Sequence, residues 1–138
     1  MPRSHRNPPP LALFTAGAVL GPLSWLAASA VSGTFEPYDS GAGLLVNQVV
    51  LSAPTVLLAS RHPTGVPLLL LAGAYVGMNG YAYGFGGSEA RAWAPLGAVV
   101  TLLLLLVPIA LTVGAATLRR LRLSHVARAG ASAPPRHE

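Results

Sequence analysis

The sequence predicts an all-α membrane protein: a bundle of four transmembrane helices with both termini on the cytoplasmic side. Three observations predict it. The 138 residues are 52% hydrophobic and only 9% charged, whereas soluble proteins average about a quarter charged. The apolar residues gather in stretches at about 11–31, 44–60, 66–83 and 93–118. A ~30 Å hydrocarbon core needs about 20 residues at ~1.5 Å each, and the second stretch is barely long enough. The charges are sorted between these stretches. Arg3, Arg6, Arg61, Arg119, Arg120, Arg122, Arg128 and Arg136 fall in alternate connections, and Glu36, Asp39 and Glu89 fall in the others. Arginine-rich loops stay in the cytoplasm, so their placement sets the orientation.

The elements follow in order. Residues 1–10 form a basic arm ending in Pro8-Pro9-Pro10, which favours extended backbone. The first helix, about 11–31, also ends in Ala28-Ser29-Ala30, a small-x-small pattern of the kind signal peptidases cut. Its apolar run exceeds the 7–15 residues of a signal-peptide core, which points to a retained helix. Residues 32–43, with Glu36-Pro37-Tyr38-Asp39, read as an external turn. The second helix, 44–60, contains Pro54, and Arg61-His62-Pro63-Thr64-Gly65 makes a tight cytoplasmic turn. The third, 66–83, carries Pro67 in its first turn, where the missing N–H costs nothing. Residues 84–91 read as a second external turn. The fourth helix, 93–118, contains Pro108 and is the longest, so tilt or protrusion is expected. Beyond it, 119–138 reads as a basic amphipathic extension followed by a disordered cytoplasmic tail.

The first and third helices share a stripe of small residues: Gly17, Gly21, Ser24 and Ala28 in one, Gly73, Gly77, Gly80 and Gly84 in the other. Positions i, i+4, i+7 and i+11 stay within about 60° of one another on a helix. Lipid provides no hydrophobic drive for helix association, so close approach through small residues is the expected route, and these stripes are the expected packing surfaces. The stripes, with Pro54 and Pro108, hint at two related helical hairpins. Each interior proline frees a carbonyl, which Ser52, Thr55 or Thr112 is placed to satisfy.

No cysteine is present, which removes disulfides and thiol chemistry. His5, His62, His125 and His137 fall on the side opposite Glu36, Asp39 and Glu89. A site needing both residue types would have to bridge the bilayer, so no metal, cofactor or catalytic residue is expected. No ionisable residue falls within a span, which argues against a proton-coupled carrier. In architecture and size the chain resembles small multidrug-resistance transporters, but that family's membrane-embedded glutamate in the first helix has no counterpart here. The net charge of +5 flanks apolar segments. Arg61, Arg119, Arg120 and Arg122 therefore read as topology and lipid anchors rather than a nucleic-acid surface.

The polar residues left inside the spans are Asn47, Gln48 and Asn79, close to Tyr75 and below Glu36 and Asp39. Two readings compete. One is an outward-facing polar pocket. The other is an Asn47–Asn79 bond under an aromatic belt, of a kind contributing ~0.6–2 kcal/mol. The leading functional expectation is a non-enzymatic accessory or assembling subunit. It would act through helix–helix and outer-loop contacts with the bilayer, another copy or a membrane partner. The runner-up is a small oligomeric channel or transporter for an uncharged solute. An external enzyme site using Glu36, Asp39 and Glu89 comes third. The Ala-, Gly-, Pro- and Arg-rich composition, with no lysine, reflects GC-rich codons and suggests a bacterial cytoplasmic (inner) membrane.

Overall fold

The computed structural model describes residues 8–131, with side chains through 125. The proposed basic arm before residue 8, the tail after 131, and His5 and His137 lie outside the described residues. What is described is helical: α1 Pro10–Ser32, α2 Gly41–Arg61, α3 Gly65–Phe85, α4 Gly87–Ala92, α5 Ala94–Leu104 and α6 Leu106–Ala131. Four segments are long and apolar enough to cross a membrane: α1, α2, α3 and the combined α5–α6 stretch Ala94–His125. Polarity is inverted relative to a soluble domain. Leu23, Leu45, Val49, Leu57, Val99, Leu103 and Leu111 are exposed, while Ser24, Asn47, Thr55, Thr101 and Thr112 are buried. Lipid as the surrounding solvent requires this distribution. Four such helices fit a small multi-pass membrane protein.

Four boundaries differ from the sequence expectation. Helix α2 starts at Gly41 because Ser40 caps it, its Oγ accepting from Gly43 N at 2.9 Å; such a cap satisfies a donor the helix leaves open. The turn expected at 84–91 holds the short helix α4, entered through Gly87 at φ +77°. The fourth helix is broken at Leu105, so Pro108 lies in the first turn of α6 rather than mid-helix. Helix α6 continues to Ala131, into the segment expected to be a disordered tail.

Helix α1 packs on α3 and α2, and the fourth span crosses the opposite face of the α2–α3 pair. Its first half, α5, leans on α3, and its second half, α6, leans on α2. The core joins Trp25, Leu51, Leu71, Ala74, Met78 and Leu105.

The α1–α3 contact is backbone on backbone. A Cβ at Gly17 would collide with the Leu70 carbonyl oxygen, and one at Gly21 with that of Ala74. A Cβ at Gly73 would collide with the Phe14 oxygen, and one at Gly77 with that of Ala18. Exchanging Gly17 for Gly73, Phe14 for Leu70 and Ala18 for Ala74 maps the contact onto itself, so it has a local two-fold character. Pro22 supplies no N–H to the Ala18 carbonyl four residues earlier. That freed oxygen lies against Gly77, whose Cα–H is a weak donor. Gly80 and Gly84 share the spacing but not the contact, since nothing lies within 4 Å of a Cβ at either.

Candidate functional site

The turn between α1 and α2 is folded back on α1. Gly33, at φ +73°, caps α1 with its N–H on the Ser29 carbonyl at 2.9 Å. The Phe35 carbonyl oxygen then accepts twice, from Trp25 Nε1 at 2.6 Å and from Ser29 Oγ at 2.8 Å. The Phe35 ring lies 5.9 Å from Trp25 and 6.0 Å from Tyr81, and Tyr81 stacks on Phe85 at 4.9 Å. Pro37 is fully buried beneath this cluster's turn. Glu36 and Asp39 are thereby held by a pinned segment rather than by a free loop.

Beside this wall, at the same end of the bundle, α3 and α5 are joined sparsely. One link is Tyr75 Oη donating to the Ala98 carbonyl at 3.4 Å. A cleft of about 1240 Å³ opens between them. Its rim carries Glu36, Asp39 and Glu89 with Tyr38, Tyr83, Phe85 and Trp93; lower down it is lined by Tyr75, Val76, Asn79, Leu96, Gly97 and Thr101. From Phe85 to Tyr75 is roughly 15 Å along the helix, about half of a hydrocarbon core. Val76 and Leu96 are more than half exposed, so the cleft is also open sideways.

The charged side chains lining the cleft, Glu36, Asp39 and Glu89, are all hydrogen-bond acceptors. Asn79 uses Nδ2 to donate to the Tyr75 carbonyl at 2.8 Å, which leaves it an amide oxygen to offer. Burial, assisted by a hydrogen bond to Glu36 and the charges of Glu36 and Asp39, holds the Tyr38 phenol well above its ordinary pKa. Tyr38 therefore stays neutral among the acids. Arg91, the one arginine at this end among the described residues, donates from Nε to the Tyr83 carbonyl at 3.1 Å. Its guanidinium sits 5.9 Å from the centre of the Tyr83 ring.

The predicted polar set divides. Tyr75, Asn79, Glu36 and Asp39 line the cleft; Asn47 and Gln48 do not. Asn47 is fully buried and donates to Ser24 Oγ at 3.1 Å, not to Asn79, because its face of α2 meets α1. Gln48 donates from Nε2 to the Leu104 carbonyl at 3.0 Å, the oxygen that Pro108 cannot serve. Thr112 and Ser52 leave their hydroxyls without a partner. Thr55 bonds the Leu51 and Ser52 carbonyls rather than the one Pro54 frees.

At the opposite end, Arg119 reaches the His62 carbonyl from Nη1 at 2.6 Å, tying α6 to the α2–α3 turn, while Arg61, Arg120 and Arg122 are exposed. Sequence reasoning did not single out Trp25, Phe35, Val76, Leu96 or Thr101 as site residues. Among the described residues no group of three or more His, Cys, Asp or Glu is arranged to hold a metal ion. Comparison with known protein families, with curated proteins and with solved structures finds no match for this chain.

Proposed function

We propose that this chain is a non-enzymatic protein of a bacterial cytoplasmic membrane that captures a small ligand at the outer face, alone or as the binding subunit of a larger assembly. The cleft between α3, α5 and the pinned Phe35–Asp39 segment carries this reading. Both termini lie in the cytoplasm, with Arg61, Arg120 and Arg122 at the inner leaflet, so the acid-rimmed cleft faces outward. The α1–α3 contact, read with the shared glycine spacing, also favours two related hairpins.

Two of the earlier expectations weaken. Gly17, Gly21, Gly73 and Gly77 are occupied within the chain, which removes the main motive for assembly through small-residue stripes. Asn47 and Gln48 are committed to helix–helix bonds, so an uncharged-solute pore loses half of its proposed polar lining. The reading favoured here is an outward-facing pocket whose lining includes Tyr75, Asn79, Glu36 and Asp39 but not Asn47 or Gln48.

Gly80 lines the cleft and has open space where a Cβ would go, so Gly80→Phe fills the cleft without disturbing the core. Small molecules copurifying in mild detergent should include a species held by the wild type and lost from Gly80→Phe. Identical extracts from both proteins overturn the reading. Orientation is tested separately with single cysteines, since the natural chain has none. An impermeant maleimide should label Ser88→Cys in intact cells and His125→Cys only after lysis; the reverse pattern inverts the topology.

A further inference from the structure

We infer that the cleft takes an amphiphile with an ammonium head on an apolar chain or ring, its head at the acid-rimmed mouth and its tail between α3 and α5. This rests on the cleft being the working site and adds the chemical class of its ligand.

Charge is the first ground. Glu36, Asp39 and Glu89 line the cleft, and the one cation beside it among the described residues, Arg91, is already engaged with the Tyr83 carbonyl and ring at its rim. Three carboxylates against one guanidinium leave the mouth net negative, and Asn79 below it adds an acceptor. An anionic ligand would meet repulsion there.

The rings are the second ground. Ammonium and guanidinium groups are attracted to aromatic faces within about 6 Å, and recognition of quaternary ammonium by aromatic walls uses this attraction. Tyr38 and Trp93, both exposed, bring such faces to the same cleft as the acids. Arg91 over Tyr83, at 5.9 Å, shows one rim ring already serving a cation.

Shape is the third. Small-molecule sites typically span about 300–1,000 Å³, so about 1240 Å³ is far more than an inorganic ion fills. The lower walls at Val76 and Leu96 are apolar and open to the side. A polar head and an apolar body match the gradient from mouth to floor.

Of the two tryptophans of the chain, Trp93 is exposed in this cleft and Trp25 lies buried behind it, so a change in intrinsic emission reads the cleft through Trp93. The full chain in uncharged maltoside micelles is titrated with decyltrimethylammonium. The emission change should saturate and its midpoint should rise with added NaCl. Tetramethylammonium should bind about 10-fold or more weaker, and decyl sulfate should give no saturable change. The triple variant Glu36→Gln, Asp39→Asn, Glu89→Gln should weaken the cation about 10-fold or more, and Glu89→Gln alone by a smaller factor.

Short-chain phosphatidylethanolamine and phosphatidylglycerol are then added as competitors. Competition by the ethanolamine lipid alone assigns the ammonium to a lipid headgroup, and competition by neither assigns it to a free amphiphile; both outcomes support the inference. Equal competition by the two lipids, or unchanged cation affinity in the triple variant, overturns it. If the carboxylates prove irrelevant while Gly80→Phe still strips a copurifying species, the cleft remains the binding site and only the cation assignment falls.

Discussion

Gln48 on α2 serves the carbonyl oxygen of Leu104, at 3.0 Å, in place of the N–H that Pro108 lacks. The break between α5 and α6 is therefore bridged by a neighbouring helix rather than left open to lipid, where an unmet carbonyl costs several kcal/mol. Gln48→Leu should destabilise the fold by about 1–2 kcal/mol. In a Pro108→Ala background residue 108 regains its N–H, so the same substitution should cost less than about 0.5 kcal/mol. Dodecyl-sulfate unfolding in mixed micelles, read by circular dichroism as a double-mutant cycle, measures that coupling.

Glycines of identical spacing should behave in opposite ways. Gly17→Leu or Gly77→Leu drives a side chain into main-chain atoms of the facing helix and should cost about 3 kcal/mol or abolish folding. Gly80→Ala and Gly84→Ala meet open space and should be neutral or stabilising by up to about 1 kcal/mol through helix propensity. The same unfolding assay separates the two classes.

Arginines at the basic end should separate likewise. Arg119 holds the His62 carbonyl at 2.6 Å, so Arg119→Leu should lose about 1–2 kcal/mol. Arg120 is exposed, and Arg120→Leu should change stability by less than about 0.5 kcal/mol.

Tyr38 supplies a pH signature. Its folded-state pKa is raised, chiefly by burial and then by Glu36. The folded protein therefore holds the phenolic proton more tightly than the unfolded chain does. The resulting stability is fully present below the unfolded value near 10 and is lost as pH climbs toward the folded value. Phenolate absorbance developed up to pH ~11 should be the same in the wild type and in Tyr38→Phe, because Tyr38 does not ionise in that range. Glu36→Gln should bring part of the missing absorbance into it.

The spans were legible because membrane crossing is written in run length and charge placement, both one-dimensional. The glycine surfaces of α1 and α3 were legible for a similar reason, since a helical period reveals a stripe. Where a stripe stops mattering was not: Gly80 and Gly84 keep the period, but α3 there borders the cleft. Pairing was not legible either. Asn47 announces a buried polar contact, yet whether it meets Ser24 or Asn79 depends on which helices are neighbours. The cleft's membership was half visible. Glu36, Asp39, Tyr75 and Asn79 stood out as polar or aromatic residues toward one end of the bundle. Phe35 and Trp25 joined only because Trp25 Nε1 pulls the turn back onto α1, a contact between a turn and a helix face that no periodicity records. The break at Leu105 was hinted at by Pro108, and Gln48 was the unread half of that hint.

The junction between α1 and α3 is built from peptide groups, and its specification is negative: four α-carbons that bear only hydrogen. A lineage could rewrite the lipid-facing residues of both rods wholesale and still dock them in the same register. It could not tolerate a single methyl branch at any of those four points without separating the pair.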